Sequence, residues 1–300
     1  MNIKNALLIC AHNFVLIWKQ LVYALLISLI VGLCLWGTLT PIIELLSNEG
    51  WFESLLRYLE SIYKEPAEMA VGFEMLFSEL WGIFTRNASF LWGNYIVSFL
   101  LLLIIPNIAF YMSYFTTGDL VNAKLCSAVN YGYIHRFLMS LKRSVPYALF
   151  ETIIKLPFVG LQISAFLLYG IISTTWIKAT LLLPVLILVL LLISAVRRTL
   201  MIWFMPECAT SGDRVYRCLG RSFKLVFKNF TRLMLSNFLL LLVEFAGVMI
   251  LTVFTIGAGL IVLIPAIPVI NAAFSLVSYY QISSMRYYID SNTIVNPVQD

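Results

Sequence analysis

Charge is what this chain has least of. Only 12% of its 300 residues are Asp, Glu, Lys or Arg, about half the share of an ordinary soluble domain, while 61% are apolar and 14% aromatic. With a mean hydropathy of +0.92, so little charge excludes a soluble globule, because there is not enough polar surface to clothe one. Histidine is nearly missing, with only His12 and His135, and two histidines on different segments do not make a metal site. The chain has no Walker A loop, GxGxxG, HExxH or GxSxG, so the phosphate-cradling, zinc-protease and nucleophile-elbow signatures are lacking. No catalytic residue, metal ligand or cofactor is therefore assigned. The five cysteines show no CxxC or metal-like spacing, and disulfides are not expected.

What the chain has instead is long apolar runs. Crossing a hydrocarbon core of about 30 Å takes about 20 apolar residues in a helix. Windows of that kind fall at roughly 15 to 38, 90 to 115, 147 to 172, 180 to 200, 232 to 254 and 258 to 284. They predict an all-α integral membrane protein with six transmembrane helices, residues 1–300 forming a single membrane domain. The opening MNIKNALLICAHNFVLIWKQ lacks a small-x-small cleavage site and stays apolar to Trp36, so it reads as an uncleaved first span.

Lys and Arg in short connections set orientation, and acidic residues contribute little. The stretch 197–232 carries Arg197, Arg198, Arg214, Arg217, Arg221, Lys224, Lys228 and Arg232, and 116–146 carries Lys124, Arg136, Lys142 and Arg143. Both are expected on the cytoplasmic side, with the N- and C-termini there too. The alternate connections agree, since 173–179 has only Lys178 and 255–259 has no charge. The net charge of +5 then describes a basic cytoplasmic rim and is no argument for nucleic acid.

Three similar phrases precede or open the odd-numbered spans: FVLIWKQ at 14, FLMSLKR at 137 and FKLVFKN at 223. Each even-numbered span contains proline, at Pro106, at Pro184, and at Pro265 with Pro268. This suggests three helical hairpins with interfacial amphipathic helices, used as parallel repeats around a shared seam. Residues 41–89 interrupt the first hairpin as an extracytoplasmic amphipathic helical insertion with eight glutamates. Phe52, Leu55, Leu56, Leu59, Ile62 and Tyr63 share one helical face there, and Met69, Phe73, Leu76, Phe77, Leu80 and Phe84 another, with Pro66 between. The apolar faces are expected to cover a neighbour, as a structural cap or as a lid.

Residues 205–231 form a predicted cytoplasmic basic interfacial helix. Arg214, Arg217, Arg221, Lys224 and Lys228 recur at three- and four-residue steps and share a stripe, opposite Val215, Leu219, Ser222, Val226 and Phe230. TSGD at 210–213 has the spacing of a capping box at its start. Membrane lipids, through anionic headgroups at the cytoplasmic face, are the partners this stripe suits, and a protein partner is a second option.

Inside the spans, polar residues stand out against apolar neighbours. Glu244 has an apolar run on either side, and a charge at the bilayer centre costs roughly 2.5–3.5 kcal/mol even on insertion scales, so it should not face lipid. A protonated glutamate, a structural ion pair and a cavity-lining carboxylate are all open readings. The third span offers Glu151 and Lys155, an i,i+4 pair in the favourable order. Asn107, Gln162, Asn237 and Asn271 complete the polar set, with interhelical hydrogen bonding as their default role.

The last hundred residues, with CLGRSFKLVFKNFTRLMLSNFLLLLVEF, IPAIPVINAAFSLVSYYQ and MRYYID, resemble bacterial polytopic families grouped with the membrane domain of some glycerophosphodiester phosphodiesterases. Leu219, Arg221, Ser222, Asn229, Tyr279, Tyr280 and Arg286 carry the resemblance, which covers about a third of the chain. It implies a multi-pass helical fold in a bacterial cell membrane. No counterpart of the soluble phosphodiesterase domain occurs in these residues, so hydrolysis is not carried over, and the acidic insertion departs from the pattern. Two functions follow as expectations. One is transport or handling of a lipid-like, amphipathic substrate along the polar seam. The other is a non-catalytic membrane subunit or scaffold.

Overall fold

The computed structural model describes residues 3–64, 69–127, 132–172, 176–255, 257–289 and 293–295. Among them six helices are long and apolar enough to cross a membrane: Val15–Asn48, Ala88–Ser127, Tyr133–Gly170, Leu182–Ser211, Phe230–Thr255 and Leu260–Ile282. Their lipid-suited surfaces are evident, with Leu25, Leu33, Trp36, Val253 and Phe254 all more than half exposed. In water such surface would be untenable.

In chain order the elements are α1 (Ile3–His12), α2 (Val15–Asn48), α3 (Trp51–Lys64), α4 (Met69–Arg86), α5 (Ala88–Phe99), α6 (Ile105–Ser127) and α7 (Tyr133–Ile172), followed by α8 (Trp176–Met201), α9 (Phe204–Ser211), α10 (Val215–Lys228), α11 (Phe230–Thr255) and α12 (Leu260–Ile282). A short antiparallel pair, β1 (Tyr287–Tyr288) and β2 (Ile294–Val295), ends the described chain. Between α5 and α6 lies a π-helical turn, Leu100–Ile104, where the Ile105 N–H reaches back to the Leu100 carbonyl. Pro106 follows immediately. Its ring lacks an N–H and crowds the carbonyl four residues back, and a wider turn relieves that crowding.

Two compact units emerge. One holds residues 27–106 and 163–188. Its core is Ile42, Leu46, Ile83 and Leu91, with Trp51, Leu80, Phe84 and Tyr95 packed around them. Gly50, at φ 75°, turns the chain from α2 into α3, a conformation glycine adopts without Cβ strain. The insertion is helical as its periodicity predicts, but only part of each expected apolar face is turned inward: Leu80 and Phe84 pack on this core, and Leu55 and Leu76 are half-buried. Leu56, Leu59 and Phe77 are exposed, and the inward edge runs through Trp51, Leu80, Ile83 and Phe84. Trp51 fixes that edge by donating to the Leu76 carbonyl at 3.4 Å. Pro66, and the side chains of Ile62, Tyr63, Met69 and Phe73, lie outside the described residues.

The other unit holds residues 1–26, 107–162 and 189–300. The helices α6 and α7 run well beyond a predicted span, since α7 alone has 40 residues and crossing needs about 20. The surplus builds a core: Phe115, Tyr147, Trp203, Phe204, Leu276 and Tyr287 are almost wholly buried together. Several polar groups inside it find partners across the core. Trp203 donates to Ser278 at 3.0 Å, Tyr280 to Asn122 at 2.7 Å, and Asn5 to Tyr287 at 2.9 Å, which ties α1 to the terminal strand pair.

Candidate functional site

The polar seam is built from residues at the ends of apolar runs. On α7, Tyr147, Glu151 and Lys155 are spaced by four, so they stack on one face. The Tyr147 hydroxyl donates to Glu151 Oε1 at 2.9 Å. Lys155 Nζ donates to Asn107 Oδ1 on α6 at 2.5 Å and lies 5.9 Å from the centroid of the Tyr111 ring, within cation–π range. From α8, Arg197 donates to the Tyr111 hydroxyl at 2.6 Å. Arg197 and Lys155 are the cations whose charge acts on buried Glu151. One residue further, Arg198 grips Glu244 of α11 with both terminal nitrogens, at 2.9 and 3.1 Å. Three cations and two carboxylates thus gather where the flanking sequence is almost entirely apolar.

Of the residues singled out from sequence, Asn107, Glu151 and Lys155 do come together. Glu151 and Lys155 do not form the expected i,i+4 ion pair. Each turns to a different partner, because Tyr147 one turn earlier offers the carboxylate a shorter reach and Asn107 draws the ammonium across to α6. Glu244 is in an ion pair, and its partner comes from α8 rather than from Glu151 or Lys155 on α7. Gln162 stands apart, donating to Ser194 at 2.9 Å as a link between α7 and α8. Asn271 keeps a buried Oδ1 without a hydrogen-bond partner, as does Asn237, whose amide donates to Thr199 at 3.1 Å.

The basic stripe is as expected in one respect: Arg214, Arg217, Arg221, Lys224 and Lys228 are all exposed, while Val215, Cys218, Ser222 and Val226 of α10 are buried. Arg221 is not a free member of it. Its Nε lies 3.0 Å from Glu207 Oε1, and its Nη2 pairs with Asp213; hydrogen bonding to Asp213 raises its already high pKa. Glu207, nearly buried, also accepts from the Tyr279 hydroxyl at 2.5 Å. The TSGD capping box is absent. Thr210 and Ser211 instead close α9 by donating to carbonyls four residues back, and Gly212 follows at φ 69° as its left-handed C-cap. The α10 N-terminus, at Arg214, has no side-chain cap.

Arg197, Arg198, Tyr111, Tyr147 and Glu207 are the site residues that sequence reasoning missed. Their positions in the sequence group both arginines with the cytoplasmic connection. A signal was available, since TLMIWFMPECA continues apolar after them, placing both inside a hydrophobic stretch rather than at its end.

Six helices long and apolar enough to cross a membrane, among the described residues, define the class: a multi-pass membrane protein. Within that class no family model matches the chain, and neither the curated proteins nor the solved structures yielded a match. Among the described residues no cluster of His, Cys, Asp and Glu is arranged to hold a metal ion.

Proposed function

We propose that this protein transports or handles an amphipathic, lipid-like substrate whose anionic end is received by Arg197 and Lys155. The observation that carries this reading is the imbalance in the seam. Arg198 and Glu244 neutralise one another, which leaves Arg197 and Lys155 facing the single carboxylate of Glu151. Ionisable groups kept inside membrane helices at such cost are a functional-site signature, and an excess of cations suits an anion. Asn107 and the tyrosine hydroxyls supply directional hydrogen bonds beside it.

The same reading places the chain in a bacterial cell membrane, with both termini in the cytoplasm and the spans paired as three hairpins. Removing Arg197 and Arg198 from the loop count leaves Arg214, Arg217, Arg221, Lys224, Lys228 and Arg232, enough to keep that connection cytoplasmic. The resemblance to the phosphodiesterase-linked membrane families supports location and assigns no chemistry.

Native mass spectrometry of gently extracted protein, wild type against Arg197→Gln, tests the proposal. Retention of an anionic amphiphile that disappears in the variant is the expected result. A stoichiometric companion protein, with no small molecule retained by either form, would sink it and favour the scaffold alternative.

A further inference from the structure

A second feature lies apart from the seam, where the start of α7 meets the α9–α10 turn. An open cleft with a volume of about 410 Å³ is lined there by Lys142, Arg143 and Arg214, and on its apolar side by Pro146, Phe150 and Tyr216. We infer that this cleft binds the phosphate headgroup of an anionic phospholipid, with an acyl chain leaving along α7; the inference rests on the membrane placement proposed above.

Three observations converge on it. First, the charge is unbalanced. Among the described residues no ion pair engages Lys142, Arg143 or Arg214. The one carboxylate in the lining, Asp213, is taken by Arg221. Second, the cleft is fixed in shape. Arg143 Nη2 donates to the Gly212 carbonyl at 3.0 Å, which ties the α9–α10 turn to α7 and leaves the rest of the guanidinium available. The α10 helix also starts in this lining without a side-chain cap, so the orphan N–H groups of its first turn add to the positive field.

Third, the polarity has an order. Lys142, Pro146 and Phe150 are spaced by four on α7, so the cleft passes from ammonium to ring within two turns. An exposed apolar row, Val145, Leu149 and Ile153, continues beside it toward the predicted span. A free phosphate needs only the cationic end. A graded site with a greasy exit suits a ligand that is itself graded, which is why a lipid is the source favoured here over inorganic phosphate.

The test uses delipidated full-length protein titrated in micelles with phosphatidylglycerol or phosphatidylcholine, with bound lipid counted by native mass spectrometry. Preferential retention of phosphatidylglycerol is expected, with Lys142→Gln and Arg214→Gln each weakening it about fivefold. Lys224→Gln and Lys228→Gln, on the same exposed stripe but outside the cleft, should leave it unchanged. Equal losses in these controls would reduce the effect to diffuse surface charge and overturn the site. Equal retention of phosphatidylcholine would do the same. Displacement of phosphatidylglycerol by excess inorganic phosphate would show that the cleft recognises the free anion, and would overturn the lipid assignment. The seam is read by the co-purified amphiphile lost from Arg197→Gln, and the cleft by added phosphatidylglycerol lost from Lys142→Gln and Arg214→Gln, so the two readings fail separately.

Discussion

Arg198 and Glu244 form a two-point ion pair between α8 and α11, with both side chains only about an eighth exposed. This explains a carboxylate set in the apolar stretch LLLLVEFAGVMIL. A charge there is tolerated because a guanidinium arrives with matching fork geometry. The pair is costly to break from one side, since the survivor is left charged and poorly solvated. Removing one partner of such a pair typically costs about 3–5 kcal/mol, whereas replacing both by apolar residues of similar size is close to neutral.

Glu244→Gln and Arg198→Met are therefore each expected to destabilise the protein by about 3–5 kcal/mol, and the double variant Arg198→Met/Glu244→Leu to recover most of that loss. Unfolding followed in detergent would measure the coupling. Additive losses would mean that each residue serves some partner other than its opposite number.

Glu207 supplies a second prediction. It sits nearly buried between Arg221 of α10 and Tyr279 of α12, so α9 is held from two sides by one carboxylate. Tyr279→Phe keeps the ring and removes the hydrogen bond, a loss of about 1.5–3 kcal/mol for a bond to a charged group. Tyr280→Phe releases a neutral acceptor, Asn122, and is expected to cost less, about 0.5–1.5 kcal/mol. A reversed order in thermal denaturation would show that Glu207 does not hold α12 in place.

Periodicity and hydropathy made the spans and the basic stripe legible, because both depend on how residues recur along one helix. All six apolar windows are helices, and α10 exposes the basic face its spacing defines. Partners across helices were another matter. Glu244 and Arg198 are 46 residues apart, and nothing local distinguishes Arg198 from an interfacial anchor until the helix is seen to continue past it. Glu151 with Lys155 failed for the converse reason. Their spacing permits a pair, but Tyr147 and Asn107 offer each a competing bond. The TSGD motif misled because serine and threonine also end helices, and the adjacent Gly212 was the better signal.

The close approach of α6 and α9 gives a third prediction. A methyl group at Gly118 would overlap the side chain of Met205, itself almost fully buried. Gly118→Ala is expected to cost about 1–3 kcal/mol, the usual range for overpacking. Met205 is unbranched and can shift, so the shorter Met205→Ala should restore part of the loss when combined with it. If the double variant is no more stable than the sum of the singles implies, the strain lies in the backbone of α6 instead.

Orientation is the fourth prediction, and the cysteines allow a direct approach. All five are free, so they can be replaced by alanine without breaking a crosslink, and a single cysteine can then be placed at exposed Glu53 in α3 or exposed Lys224 in α10. Three predicted spans separate these positions, so they must face opposite sides of the membrane whichever way the chain is inserted. The positive-inside rule adds the direction. In whole cells a membrane-impermeant maleimide should label the cysteine at 53 and reach the one at 224 only after permeabilisation. The reverse pattern would keep the six spans and invert the protein, putting the basic stripe and the Lys142 cleft outside, away from the anionic cytoplasmic leaflet. Labelling of both positions from one side would mean that one or all three of the intervening helices do not cross.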